Sequence, residues 1–140
     1  AVPFANDTMW GTLSAMVLCD PITERDNKAL FEQALAELRY GGIAVNAFAG
    51  VVYALVVTSW GAFPGHPLED IQSGRGVVHN AFMFDHPQKS IVRAPFRMKP
   101  TPLWFADHKT QGSTAKALSE MEAYPSLLKL PKLIANAVRG

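Results

Sequence analysis

Residues 13–48 constrain the fold more than any other stretch of the chain. "LSAMVLC" (13–19) is a continuous apolar run of strand length, which predicts a strand buried on both faces. Asp20-Pro21 follows, a capping residue and then proline at the first helical position. The pattern predicts a helix from Pro21 to about Arg39. Leu30, Phe31, Ala34, Leu35 and Leu38 share one face of it, with Glu24, Asp26, Lys28, Glu32 and Glu37 largely outside. Gly41-Gly42 reads as the helix stop, and "IAVNAF" (43–48) as a second short buried strand. The crossover is long enough for a parallel βαβ unit. The expected class is therefore α/β: a small βαβ-containing sheet fragment with flanking helices and a C-terminal helical extension.

The remaining segments read less sharply. Residues 1–12 suggest a short helix or turn ending at Gly11, and 50–60 either a strand or a buried turn of helix. "WGAFPGHPLEDIQSGRGVVHN" (60–80) is rich in Gly and Pro and predicts a long surface loop, of the kind that often carries function. "GVVHNAFMF" (76–84) fits strand or helix, and "KSIVRAPF" (89–96) an edge strand. Beyond Phe96 the character changes. Pro100, Pro102 and the Trp104-Phe105 pair lead to two expected helices at about 113–123 and 126–138, with Pro131 in a first turn or at a kink. Net charge changes there too, from −3 over residues 1–96 to +4 over 97–140. The expected organisation is one domain, 1–96, with 97–140 as a Pro/aromatic linker and helical tail packed on it.

Composition narrows the function classes. At 140 residues and 49% apolar the chain has the make-up of one folded domain. A net charge of +1 argues against a nucleic-acid binder. A single cysteine forms no intrachain disulfide, and no apolar run reaches the length of a membrane span, so the expected setting is cytoplasmic. The chain begins at Ala1 without a charged-then-apolar leader, as after removal of an initiator Met or as a piece of something longer. Cys19 with a His and an Asn is the minimum for a thiol hydrolase, but inside an apolar run it reads as inert core. His66, His79, His86 and His108 lack the tight spacing of helical metal pairs, so no metal site is expected. "SGRG" (73–76) matches neither the Rossmann nor the P-loop spacing.

Taken together, several short blocks carry a resemblance. "ANDTMWGTLSAMVLCD" (5–20) resembles the stretch A-N-D-T-x-Y-G-L-x-A-x-V-F-x-x-D of the aldehyde dehydrogenase superfamily, with Trp10 for the usual Tyr. "LRYGGIAVN" (38–46) resembles that family's A-G-x-V-x-V-N strand, "SWGAF" (59–63) its P-F-G-G loop, and "QSGRG" its S-G-x-G-R-E turn. "KSIVRAP" (89–95) resembles its closing K-x-V-x-V strand. The resemblance spans residues 5–95 in five ordered blocks. Departures are Ser59 for Pro, Trp60 for Phe, Ala62 for Gly, and a missing Glu after Arg75.

The resemblance implies the C-terminal part of an NAD(P)-dependent oxidoreductase. Its nucleophilic Cys, general base and dinucleotide domain would lie upstream, so the isolated chain is expected to be inactive and to bind no cofactor. Trp60 and Phe48 would line a substrate tunnel, and Asn46 would support the adjoining loop. Ile91 and Val92 would lie on an oligomerisation strand. The partners implied are further copies of the chain and an upstream catalytic portion. The last segment, "SLLKLPKLIANAVRG", is a basic amphipathic stretch that can lie on a membrane surface or a partner, with docking on its own domain the expectation.

Overall fold

In the computed structural model, which describes residues 1–103 and 105–139, the chain divides into two units, 1–96 and 97–140. The boundary falls where the charge changes sign. Trp104 of the expected aromatic pair lies outside the described residues.

The first unit is built on a parallel three-stranded sheet. Helix α1 (Val2–Asp7) leads to β1 (Ser14–Val17), then to helices α2 (Pro21–Asp26) and α3 (Lys28–Glu37), then to β2 (Gly42–Val45). Strand β5 (Ser90–Arg93) completes the order β1-β2-β5, with Ser14 opposite Gly42 and Gly42 opposite Ser90. The βαβ unit read from the sequence is therefore present, and the fold is α/β.

Strand β2 explains how the sheet is covered. Alternate residues of a strand face opposite sides. Ile43 and Val45 join Leu35, Leu38 and Tyr40 in one core, with Val2, Ala5, Ala15, Val17 and Phe31 packed around it. Gly42 faces the other way, and a methyl group there would meet Val52 Cγ1 at 2.9 Å. Val52 belongs to the single helical turn α4 (Val51–Ala54) and is fully buried. Large side chains thus meet one layer, while small Gly42 lets the other layer approach.

Four expectations are corrected. β1 lies at the sheet edge, and Met16 and Leu18 are 55% and 67% exposed, so the run 13–19 is not buried on both faces. Cys19 lies beyond its end and is only partly buried. The helix expected over 21–39 is broken at Asn27, whose φ is −125° and whose side-chain amide donates to the Thr23 carbonyl. An Asn side chain that bonds to nearby backbone competes with helix continuation in this way. Finally, α3 ends at Glu37 with Leu38 already extended, ahead of Gly41-Gly42. The reason for Gly41 is spatial: a Cβ there would sit 1.7 Å from the Gly61 carbonyl oxygen.

The Gly/Pro stretch is likewise not structureless. Strands β3 (Trp60–Gly61) and β4 (Val77–His79) pair antiparallel, with Trp60 opposite His79, and a 3-10 turn spans Leu68–Asp70. The open choice at 50–60 resolves as helix for 51–54, and that at 76–84 as strand for 77–79.

The second unit holds α5 (Gln111–Ala123) and, after a 3-10 turn at Leu127–Lys129, α6 (Leu130–Ala137), with Pro131 in the first turn. His108 is buried. Its Nδ1 accepts the Thr110 amide at 3.2 Å, which leaves Nε2–H to donate to the Ala137 carbonyl at 3.2 Å. Lys129 closes α5 by donating to the carbonyls of Glu120 and Tyr124. Among the described residues no helix is long and apolar enough to cross a membrane.

Candidate functional site

Asn46 follows the last residue of β2 and takes the left-handed conformation, φ 56°. Asn adopts it more readily than branched residues. Its amide donates to the Val17 carbonyl at 2.8 Å, and its Oδ1 accepts the Cys19 amide at 2.9 Å. Asn46 is buried and ties the outgoing ends of β1 and β2 together. Its support is thus directed to the segment after β1.

Trp60 is half-buried and stands edge-on to Tyr53, with ring centroids 4.9 Å apart and planes at 83°. That geometry suits the opposed charges of ring face and ring edge. Phe48 is 58% exposed and folds over Gly50, where an added Cβ would lie 2.4 Å from its ring. Tyr53 Oη is buried without a hydrogen-bond partner. A tyrosine in an apolar run carries no sequence signal of such a position.

Two of the resembling blocks meet in space. The Gly11 amide donates to Gln72 Oε1 at 3.3 Å, and the Thr12 amide to Ser73 Oγ at 2.7 Å. Asn6, earlier in the first block, clamps the end of α3: its amide donates to the Glu37 carbonyl and its oxygen accepts the Arg39 amide. Asp7 pairs with the Arg39 guanidinium. A polar cleft of about 420 Å³ opens among Asn6, Asp7, Thr12, Arg39, His66 and Gln72. In it Thr12 Oγ1 lies 3.0 Å from His66 Nε2. Sequence reasoning missed this pair because 54 residues separate its members. A second, more apolar cleft of about 530 Å³ runs along β1, lined by Met9, Trp10, Leu13, Met16 and Tyr40.

Cys19 is poorly suited to nucleophilic work. Partial burial, then the carboxylates of Glu24 and Asp20, push its thiol above the ordinary value. A thiol held protonated is a weak nucleophile. Among the described residues no three His, Cys, Asp or Glu side chains converge to hold a metal ion.

The turn from β1 to α2 does not fit a dinucleotide. Pyrophosphate sits where a glycine-rich turn leaves the first helical amides free. Here Asp20 Oδ1 accepts the amides of Ile22 and Thr23, and Pro21 offers none. The Thr23 hydroxyl and these amides hold the Asp20 carboxyl below the usual carboxylate range. A second anion at this helix start would meet a carboxylate already in place. In the turn at 73–76 the Gly74 amide is also committed, to the Ile71 carbonyl at 2.8 Å.

No family model, curated protein or solved structure matches the chain.

Proposed function

We propose that this chain is the C-terminal part of an aldehyde dehydrogenase-like oxidoreductase, non-catalytic by itself. The observation that carries this reading is the contact between the blocks "ANDTMWGT" and "QSGRG". Their resemblance was read from separate stretches, yet Gly11 and Thr12 bond directly to Gln72 and Ser73. A parallel sheet of the expected strands, closed by Asn46, supports it further. In this reading Trp60 and Phe48 form part of a tunnel wall completed by upstream residues. Those residues would also supply the thiolate and hold NAD(P), which the β1–α2 turn does not fit. A cytoplasmic setting belongs to the same reading, with one cysteine and no intrachain disulfide.

The reading frame immediately upstream tests it. A strand, glycine-rich turn and helix followed by a Cys-bearing loop are expected there. An in-frame stop, or a start codon directly before Ala1, overturns the proposal.

A second reading is a free-standing module that pairs with its own copies. One observation favours it: β5 lies at the sheet edge with Ile91 38% exposed. Such edges template strand pairing.

A further inference from the structure

Strand β1 leaves one whole side of its backbone unpaired, since it ends the order β1-β2-β5. The Leu13 and Val17 carbonyls accept the amides of Gly42 and Asn46, both toward β2. Alternation then turns the amides and carbonyls of Ser14 and Met16 to the open side. Natural sheets guard such an edge with charge or proline, yet residues 8–19 contain neither.

The apolar cleft of about 530 Å³ follows this open side. Neighbouring residues of a strand face opposite ways, so a cleft over one face of a sheet touches every second residue. This cleft is lined by every residue from 13 to 17. It therefore runs along the backbone edge, where an occupant meets the N–H and C=O groups of Ser14 and Met16 as well as side chains. Met9, Trp10 and Tyr40 add apolar wall, and Trp10 is 78% exposed. The lining residues are all uncharged. Two requirements thus select the occupant. Unpaired N–H and C=O groups in a row at strand spacing are matched by extended peptide backbone, which neither a lipid nor a helix presents. An uncharged, largely apolar lining calls for uncharged side chains on that backbone. The opposite edge, β5, stays free for pairing between copies.

We propose that β1 and the cleft beside it form a docking groove for an extended, uncharged segment of another polypeptide, which binds as a fourth strand of the sheet. Backbone pairing at Ser14 and Met16 holds the segment, and every second side chain of it enters the cleft beside Met9, Trp10 and Tyr40.

Amide exchange followed by NMR tests this on the full chain, with a capped hexapeptide of alternating valine and threonine as the probe. Saturating peptide should slow exchange of the Ser14 and Met16 amides about tenfold or more. The Ala15 and Val17 amides, already turned to β2, should not change. Met16→Pro removes an outward donor at an edge position that tolerates proline, and should weaken binding about tenfold. Met16→Val changes the side chain but keeps the donor, and should bind within about threefold of the parent. Circular dichroism checks both folds. Should the proline variant unfold, the same peptide N-methylated at every residue decides, and it should not bind the parent. A parent that does not bind the unmodified peptide overturns the proposal. So do equal affinities of the two Met16 variants, or of the plain and methylated peptides. Protection of Ser14 and Met16 in the chain alone, lost on dilution, also overturns it and gives the groove to a second copy.

Discussion

The ammonium of Lys89 donates to the carbonyl oxygen of Leu38 at 2.6 Å. It reaches Ala36 and Leu35 as well, at 2.6 and 3.1 Å. One lysine at the start of β5 thus closes the C-terminal end of α3, where the helix dipole favours a cation. Burial opposes the charge and holds the Lys89 pKa below the ordinary lysine value. Lys89→Met keeps the stem but removes the bonds, and should cost about 1–2 kcal/mol in urea denaturation. A Met variant as stable as the parent would show that desolvation cancels the three bonds.

Among the described glycines, Gly41 makes the closest approach to another segment. Gly41→Ala drives a methyl group into the Gly61 carbonyl, 1.7 Å from the added carbon. Gly61 is poorly placed to retreat, since its φ is 151° and its own Cβ position lies 2.5 Å from the Gly76 oxygen. The substitution should cost about 3 kcal/mol, at the upper end for overpacking, read as a fall in melting temperature. Gly112 in α5 has nothing within 4 Å of its Cβ position, so Gly112→Ala should stabilise by about 0.5 kcal/mol.

Asn46 contributes through both its backbone and its side chain, and two substitutions separate them. Asn46→Gly keeps the left-handed backbone and loses the bond to the Cys19 amide, at a cost of about 1–2 kcal/mol. Asn46→Ala adds a left-handed penalty of about 1 kcal/mol. Chemical denaturation should rank parent, Gly and Ala in falling order. Equal stability of Gly and Ala would mean that the left-handed conformation is not held in solution.

Pairing between copies should run through β5. The Ser90 and Ala94 amides donate inward, to Gly41 and Val45, so alternation turns the amides of Ile91 and Arg93 to the open edge. The chain is expected to form a two-fold dimer, the commonest closed assembly. Replacing Ile91 and Val92 with Lys puts charge on that strand, and light scattering should then report a smaller species. A parent that stays monomeric at high concentration removes β5 as the interface.

The sequence was informative where burial and periodicity coincide. "IAV" (43–45) is apolar and central, and all four residues of β2, Gly42–Val45, are buried. "LSAMVLC" is equally apolar, but hydrophobicity does not distinguish a central strand from an edge, and β1 is an edge. Asp20-Pro21 marked the helix start because capping is local. The break at Asn27 has no signature in the hydrophobic pattern, because the apolar face continues through it, while the competing bond to Thr23 is made by a side chain. In the candidate site, Asn46 and Trp60 are named on the resemblance alone, and their partners Cys19 and Tyr53 carry no local signal. The meeting of Thr12 with His66 and Ser73 had no local signal, since the chain returns there only after forming β2 and β3.

Strand β2 has partners at very different reach along the chain. Gly42 pairs with Ser14, 28 residues before it, and with Ser90, 48 residues after it. The longer closure costs more chain entropy, and its return on that cost comes only once β5 and Lys89 arrive. Assembly of the first unit is thus expected in two stages, with β1, α3 and β2 forming before the sheet is completed. Pulse-labelled hydrogen exchange should find the β2 amides that face β1 protected earlier than the β5 amides that face β2. Simultaneous protection would mean that all three strands come together in a single step.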